Sequence, residues 1–227
     1  MASDRPQRME RSAQGGSASK PTVFIHTNYK QLIGARVSRH SLLRHSPHRS
    51  EFDVKILLAE NQPALMKHAG DSYLRDGRIS SWDNDDLQSF TPLRFLPAQE
   101  MSYSGRAVVI DPDIFAFADV WDLLERDMQG KAILCRRKDA GRATRQFDSS
   151  VMVLDCARLA HWRFEEAIEE MFAHRRDYRA WIALRLEDEQ QIGSIEAEWN
   201  DYDRFTPETK LLHNTRRLTQ PWKTGLP

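Results

Sequence analysis

The 227-residue chain is short of several things, and each shortage excludes something. Cysteine occurs only at Cys135 and Cys156, too few for a disulfide-stapled scaffold and without the paired spacing of a zinc site. Long apolar runs are missing. The longest, such as Ile114 to Ala118, fall far short of the about 20 residues that span a bilayer. No apolar signal segment follows Met1. An excess of charge of one sign is missing too: 33 basic and 33 acidic residues cancel to a formal net charge of +0. That balance argues against a chain built to track nucleic acid. These absences leave a soluble globular protein, expected in the cytoplasm, either free or peripheral to the inner face of a membrane.

At about 150 residues per domain, the length predicts one domain plus extras. Residues 1–20 hold almost no large apolar side chain and are expected to be a disordered tail, ahead of one folded domain over 21–227. Thr22 to His26 is a short β-branched and aromatic run and reads as a buried strand. Ile33, Val37 and Leu42 or Leu43 then recur at helical spacing up to Pro47, and Asp53 to Leu58 reads as a second strand. This β-α-β opening predicts an α/β sheet with ligands at the carboxyl ends of its strands. Residues 60–90 read as a loop-rich excursion, and 92–101 as a helix interrupted at Pro97. Further strands are expected over 106–110, 131–135 and 150–154, and helices over 120–124 and 157–172.

Three D-x-D patterns occur, at Asp83/Asp85, Asp111/Asp113 and Asp201/Asp203. The first and last sit in polar or turn-like settings and read as solvated loop acids. Only Asp111 and Asp113 follow directly on an apolar strand, Ala107 to Ile110. Two carboxylates at such a strand end are costly to desolvate unless a cation balances them, and hard divalent ions with oxygen ligands fit. The other reading is that Asp111 caps the turn and Asp113 the next helix.

The strand, D-x-D and following Ile114-Phe-Ala-Phe-Ala-Asp-Val-Trp-Asp-Leu-Leu124 resemble nucleotide-sugar glycosyltransferases of the GT-A fold, in particular the glycogenin-like and lipopolysaccharide galactosyltransferase-like retaining enzymes. Val23 to Tyr29 resembles that family's first β-α unit, and Arg94-Phe95 the R-F pair ahead of its D-x-D. Phe147-Asp-Ser-Ser-Val151 resembles its F-N-S/A-G-V strand. Glu187-Asp-Glu189 with Glu198-Trp-Asn200 resembles its acidic segment and W-N, and His213 with Pro221-Trp-Lys223 its terminal histidine and P-W-K. The motifs run in family order over about residues 21–225.

The resemblance implies an α/β fold: a single GT-A-like, Rossmann-like domain with a mixed central sheet flanked by helices. It implies a metal-dependent transferase (EC 2.4 class) that moves a sugar from a nucleotide-sugar, by family habit a UDP-sugar, to an acceptor hydroxyl with retention. The acceptor stays open among saccharide, lipid-linked and protein classes, and so does the oligomeric state. Mn2+ is the implied ion, with Mg2+ as the alternative, held by Asp111, Asp113 and His213; imidazole is a softer ligand than oxygen and suits Mn2+ better. Thr27, Asn28 and Tyr29 match the nucleotide-base pocket, Arg94 a donor-phosphate or sugar contact, Ser149 and Ser150 the sugar pocket, and Lys223 a diphosphate partner. Asp188 and Glu189 match acids near the sugar and the attacking hydroxyl; the plainer reading of this segment is a solvated helix start. The family's F-N-S-G has become Phe147-Asp148-Ser149-Ser150, and a glycine after its terminal histidine is lost. Those departures keep open a catalytically inert GT-A scaffold that binds a nucleotide-sugar or a protein partner.

Overall fold

The computed structural model describes residues 19–137, 147–216 and 220. The chain opens with β1 (Thr22–Thr27), α1 (Leu32–Arg44) and β2 (Asp53–Leu58), matching the change of hydrophobic period read from the sequence. Ser19 and Lys20, counted with the tail on sequence, are instead fastened: Ser19 donates to the Ser104 carbonyl and Lys20 pairs with Asp53 at 2.8 Å. Residues 1–18 lie outside the described part.

The expected loop over 60–90 contains a short helix α2 (Pro63–Met66) and a hairpin, β3 (Ser72–Arg75) and β4 (Arg78–Ser81). Its turn is Asp76-Gly77 with φ of 49° and 71°. Both residues lie in the left-handed region that the favoured two-residue hairpin turn demands, so this Asp-Gly pair was a hairpin signal in the sequence. The stretch before Pro97 is a 3-10 turn, Thr91–Phe95, and α3 (Pro97–Glu100) starts with that proline at its first position.

Next come β5 (Arg106–Ile110), β6 (Ile114–Ala116), α4 (Trp121–Leu124), β7 (Ile133–Arg137) and β8 (Phe147–Asp155). The helix expected over 157–172 is confined to α5 (Phe164–Phe172). Ahead of it the chain is held extended at Arg163 while the Trp162 indole packs edge-on to Phe95 and donates to Glu187. The remaining elements are α6 (Tyr178–Ile182), β9 (Ile192–Ser194), β10 (Asp201–Tyr202) and β11 (Leu211–His213).

Six strands form the central mixed sheet in the order β2-β1-β5-β8-β7-β9, and only β8 runs against the rest. Side chains alternate across it. Phe24, Val109 and Met152 enter one core with α5 and Trp181, while Val23, Ile25, Val108 and Val153 enter the other with Leu42 of α1 and Trp199. Each large side chain fully buried there stabilises the fold by about 1.5–3 kcal/mol. The consequence for function is positional. The carboxyl ends of β1 and β5 and the amino end of β8 meet at one sheet edge, where an open α/β sheet collects ligands.

Candidate functional site

At that edge lies a cleft of about 290 Å³ whose lining includes Arg94, Asp111, Asp113, Ser150, Tyr178 and His213. Asp111 is placed by β5, which ends one residue earlier, and its N–H is held by the Ser150 carbonyl of β8. His213 arrives from the far end of the sequence. β11 pairs antiparallel with β6 so that His213 stands opposite Ile114, the residue after Asp113. Asn214 then locks the register by donating its N–H and side-chain amide to the Asp113 carbonyl at 3.0 and 3.1 Å.

Asp111 is buried and heavily hydrogen-bonded. Arg94 donates to it through Nε (3.0 Å) and Nη2 (2.7 Å), and Nε2 of His26 lies 2.8 Å from Oδ1. Burial by itself would raise the Asp111 carboxyl, but the Arg94 charge and the His26 bond outweigh it and hold the group below the usual carboxylate range. His26 is pulled the other way: burial dominates, lowers its affinity for a proton and leaves a neutral imidazole.

Nδ1 of His213 lies 3.0 Å from Oδ1 of Asn200, which accepts its proton, and Asn200 donates in turn to Ser150 Oγ at 2.9 Å. That bond orients the ring and turns Nε2 toward the carboxylates, 3.4 Å from Asp113 and 4.0 Å from Asp111. Burial opposes a charged His213, yet the Asp113 bond and the charges of Asp113 and Asp111 raise it above its ordinary value.

Ligand atoms of Asp111, Asp113 and His213 all lie within 4.8 Å of one another. Two carboxylates and one imidazole whose outer nitrogen is held by an amide form a donor set and an outer shell suited to a divalent cation. The three residues named from the sequence are thus brought together. The cysteines offer no rival chemistry, since burial pushes both thiols up to about 12.

Arg94, Ser149 and Ser150 also converge here. Nη1 of Arg94 donates to Ser149 Oγ at 2.8 Å, Ser149 donates to the Ile182 carbonyl, and Ser150 Oγ donates to Asp148 at 2.6 Å. Asn28 is spent structurally: it accepts from the Gln31 N–H and donates to the Asp86 carbonyl and Ser89, while Thr27 donates to the Asn28 carbonyl. Tyr29 is 57% exposed, its hydroxyl on Asp85. Asp188 and Glu189 are not among the residues lining the cleft. Asp188 caps the 3-10 turn ahead of β9 by accepting from Gln190 N–H at 2.9 Å, and Glu189 lies 3.9 Å from Arg137. Those contacts are the ones a helix start makes. Lys223 lies outside the described residues. Asp201 and Asp203, read as solvated, instead fasten the C-terminal segment: Asp201 accepts from Thr209, and Asp203 from Thr215 and the Arg216 N–H.

One side of the cleft, not singled out in the sequence, is walled by Tyr178, Arg179 and Ile182 of α6. Its signal was available: Asp177 precedes Tyr178, Trp181 and Ile182 as an N-cap precedes a short apolar face. Asp177 accepts from Ala180 N–H and from Gly77 N–H, each at 2.9 Å, tying the hairpin turn to α6. Asp177→Ala is expected to reduce stability at pH 7 by about 1–2 kcal/mol, the loss of a cap. Burial would raise this carboxyl, but the N–H groups of Gly77 and Ala180 prevail and hold it below 3.8. A depressed carboxyl contributes stability above its unfolded value and loses it as pH falls through the folded one. Denaturant titrations at pH 7 and below pH about 3.8 should therefore show the gap between variant and wild type narrowing in acid.

No protein-family model matches the sequence, and no curated protein is similar enough to match. Solved structures do resemble the fold. The glycosyltransferase GlyE of Streptococcus pneumoniae superposes with a TM-score of 0.61 at 14% identity, over 88% of this chain and 55% of its own. The galactosyltransferase LgtC, solved with donor and acceptor sugar analogs, gives 0.59 at 13% identity over 91% of this chain and 90% of its own. Mouse xyloside xylosyltransferase 1 gives 0.53 at 13% identity, with 86% and 97% covered. The chain therefore spans little more than half of the GlyE structure and nearly all of the LgtC one. Its fold is that of GT-A-type glycosyltransferases.

Proposed function

We propose that this protein transfers a sugar from a nucleotide-diphosphate donor, a UDP-sugar, to an acceptor hydroxyl with retention of anomeric configuration, and that the reaction needs a divalent cation. The observation that carries the reading is the convergence of Asp111, Asp113 and the Nε2 of His213 at the ligand-collecting edge of a GT-A-type sheet. A divalent ion held there would act as a Lewis acid on a leaving diphosphate. Mn2+ suits this mixed donor set better than Mg2+.

The chain's own groups do the rest. Asn200 holds the His213 ring with Nε2 turned into the cleft, where a bound cation would replace its proton. Arg94 balances the buried Asp111 charge and orients Ser149. Tyr178 and Arg179 wall the cleft on the side of α6, and Lys223 is the proposed cation for the diphosphate. The exposed Tyr29 ring, with Lys30 Nζ 5.6 Å from its centre, is the proposed stacking surface for the base.

The test is release of UDP from a panel of UDP-sugars. Turnover is expected with Mn2+ and should disappear with EDTA, then return on adding Mn2+ back. Turnover that is indifferent to EDTA would sink the metal requirement. One observation favours a second reading, an inert nucleotide-sugar-binding scaffold: Arg94 already neutralises Asp111 without any ion. That reading predicts UDP binding with no release from any donor.

A further inference from the structure

β1 is apolar through its centre and turns polar at His26. Val23, Phe24 and Ile25 are fully buried, and the strand lies between β2 and β5, so an aliphatic side chain would suit position 26. His26 is itself fully buried, and its Nδ1 has no hydrogen-bond partner among the described residues. A dry, unpaired nitrogen is a destabilising choice.

The other ring nitrogen accounts for it. Nε2 lies 2.8 Å from Oδ1 of Asp111 and 3.2 Å from Nε of Arg94. Nε of Arg94 is placed to donate to either atom, at 3.2 Å to the nitrogen and 3.0 Å to the oxygen; but the nitrogen and the carboxylate oxygen are only 2.8 Å apart and need a proton between them, which assigns the imidazole proton to Nε2. The opposite tautomer would set an imidazole lone pair against a carboxylate lone pair. Phe90, with its ring centre 5.4 Å away, packs beside the imidazole.

The two oxygens of Asp111 are consequently loaded unequally. Among the described residues, Oδ1 accepts from His26 and from both Nε and Nη2 of Arg94, whereas Oδ2 accepts only from Nη2. Oδ2 is also the oxygen that faces Nε2 of His213, at 4.0 Å. The geometry points to His26 as a positioning residue: by clamping Oδ1 it fixes the rotation of the Asp111 carboxylate, so that Oδ2 is presented to a divalent cation held with Asp113 and His213. This inference rests on the metal reading above.

The test is Mn2+ binding to the full chain without nucleotide, followed by the electron paramagnetic resonance signal of the free ion. His26→Gln keeps an N–H donor near the position of Nε2, and His26→Met fills the space without a donor. Groups behind a metal ligand change affinity by about 10–100-fold when removed. H26M is expected to bind Mn2+ at least about tenfold more weakly, while H26Q stays within about threefold of wild type. H26M loses a donor to the buried Asp111 carboxylate and the unpaired nitrogen together, so its melting temperature is measured beside the affinity to show that the variant is folded. If H26M does not fold, His26→Asn, whose amide is too short to reach Oδ1, is expected to show the same weakening. Equal affinity in all the folded variants would overturn the clamp and leave the metal site standing. A wild-type protein that leaves the free Mn2+ signal unchanged would overturn the metal reading and this inference together.

Discussion

Asp113→Ala is expected to lower UDP release by about 10²–10³-fold, the range seen when one electrostatic stabiliser of a developing charge is removed. The fold should survive. The Asp113 side chain is 15% exposed on the cleft, and its carboxylate contacts are Gln220 Nε2 at 2.8 Å and His213 at 3.4 Å. Removing it strands no buried charge, since His213 keeps its bond to Asn200 and is stable as a neutral ring. The change is therefore chemical: a three-ligand cluster becomes a pair. Steady-state assays with saturating Mn2+, beside a melting curve, check both halves. Near wild-type turnover in a folded variant would mean that the ion site is elsewhere.

Arg94→Ala is expected to have the largest effect on stability. The Arg94 and Asp111 side chains are each 12% exposed, and Arg94 contacts both carboxylate oxygens. Deleting the guanidinium leaves Asp111 buried with His26 as its one remaining donor among the described residues, and breaking a buried pair from one side costs about 3–5 kcal/mol. It also removes a donor from Ser149. The loss should be far from additive: the double variant R94A/D111A, which strands no charge, is expected to recover about 1–3 kcal/mol relative to the sum of the single losses. Denaturant midpoints of the two single variants and the double variant decide it. Additive losses would show that Arg94 acts through packing and that its charge is spare.

These effects centre on residues that were legible in the sequence, and the reason is physical. Asp111 and Asp113 follow a buried strand, where carboxylates are too costly to sit without a purpose, and His213 stood in a context similar to a known motif. The central strands were legible because β-branched runs bounded by polar turns have few alternatives. What pairs them was not. Nothing local says that β11 lies against β6, yet that register alone sets His213 beside Asp113. Asp188 and Glu189 drew attention because they are acidic and follow the right motifs. The part that α6 plays in walling the cleft was not legible, because its five residues are too few for a periodic signal and its placement depends on the hairpin turn at Gly77. His26 was passed over as the last residue of an apolar run, although a histidine there was itself the anomaly.

Metal-assisted diphosphate binding is tested most directly by a thermal-shift measurement with nucleoside diphosphates, with Mn2+ and with EDTA. A ligand at 100 times its Kd stabilises by about 2.7 kcal/mol, a readily visible shift. Metal-assisted diphosphate binding at Asp111, Asp113 and His213 predicts that UDP raises the melting temperature with Mn2+ present and leaves it unchanged in EDTA. A UDP shift of the same size in both, or none with any nucleotide, would contradict it.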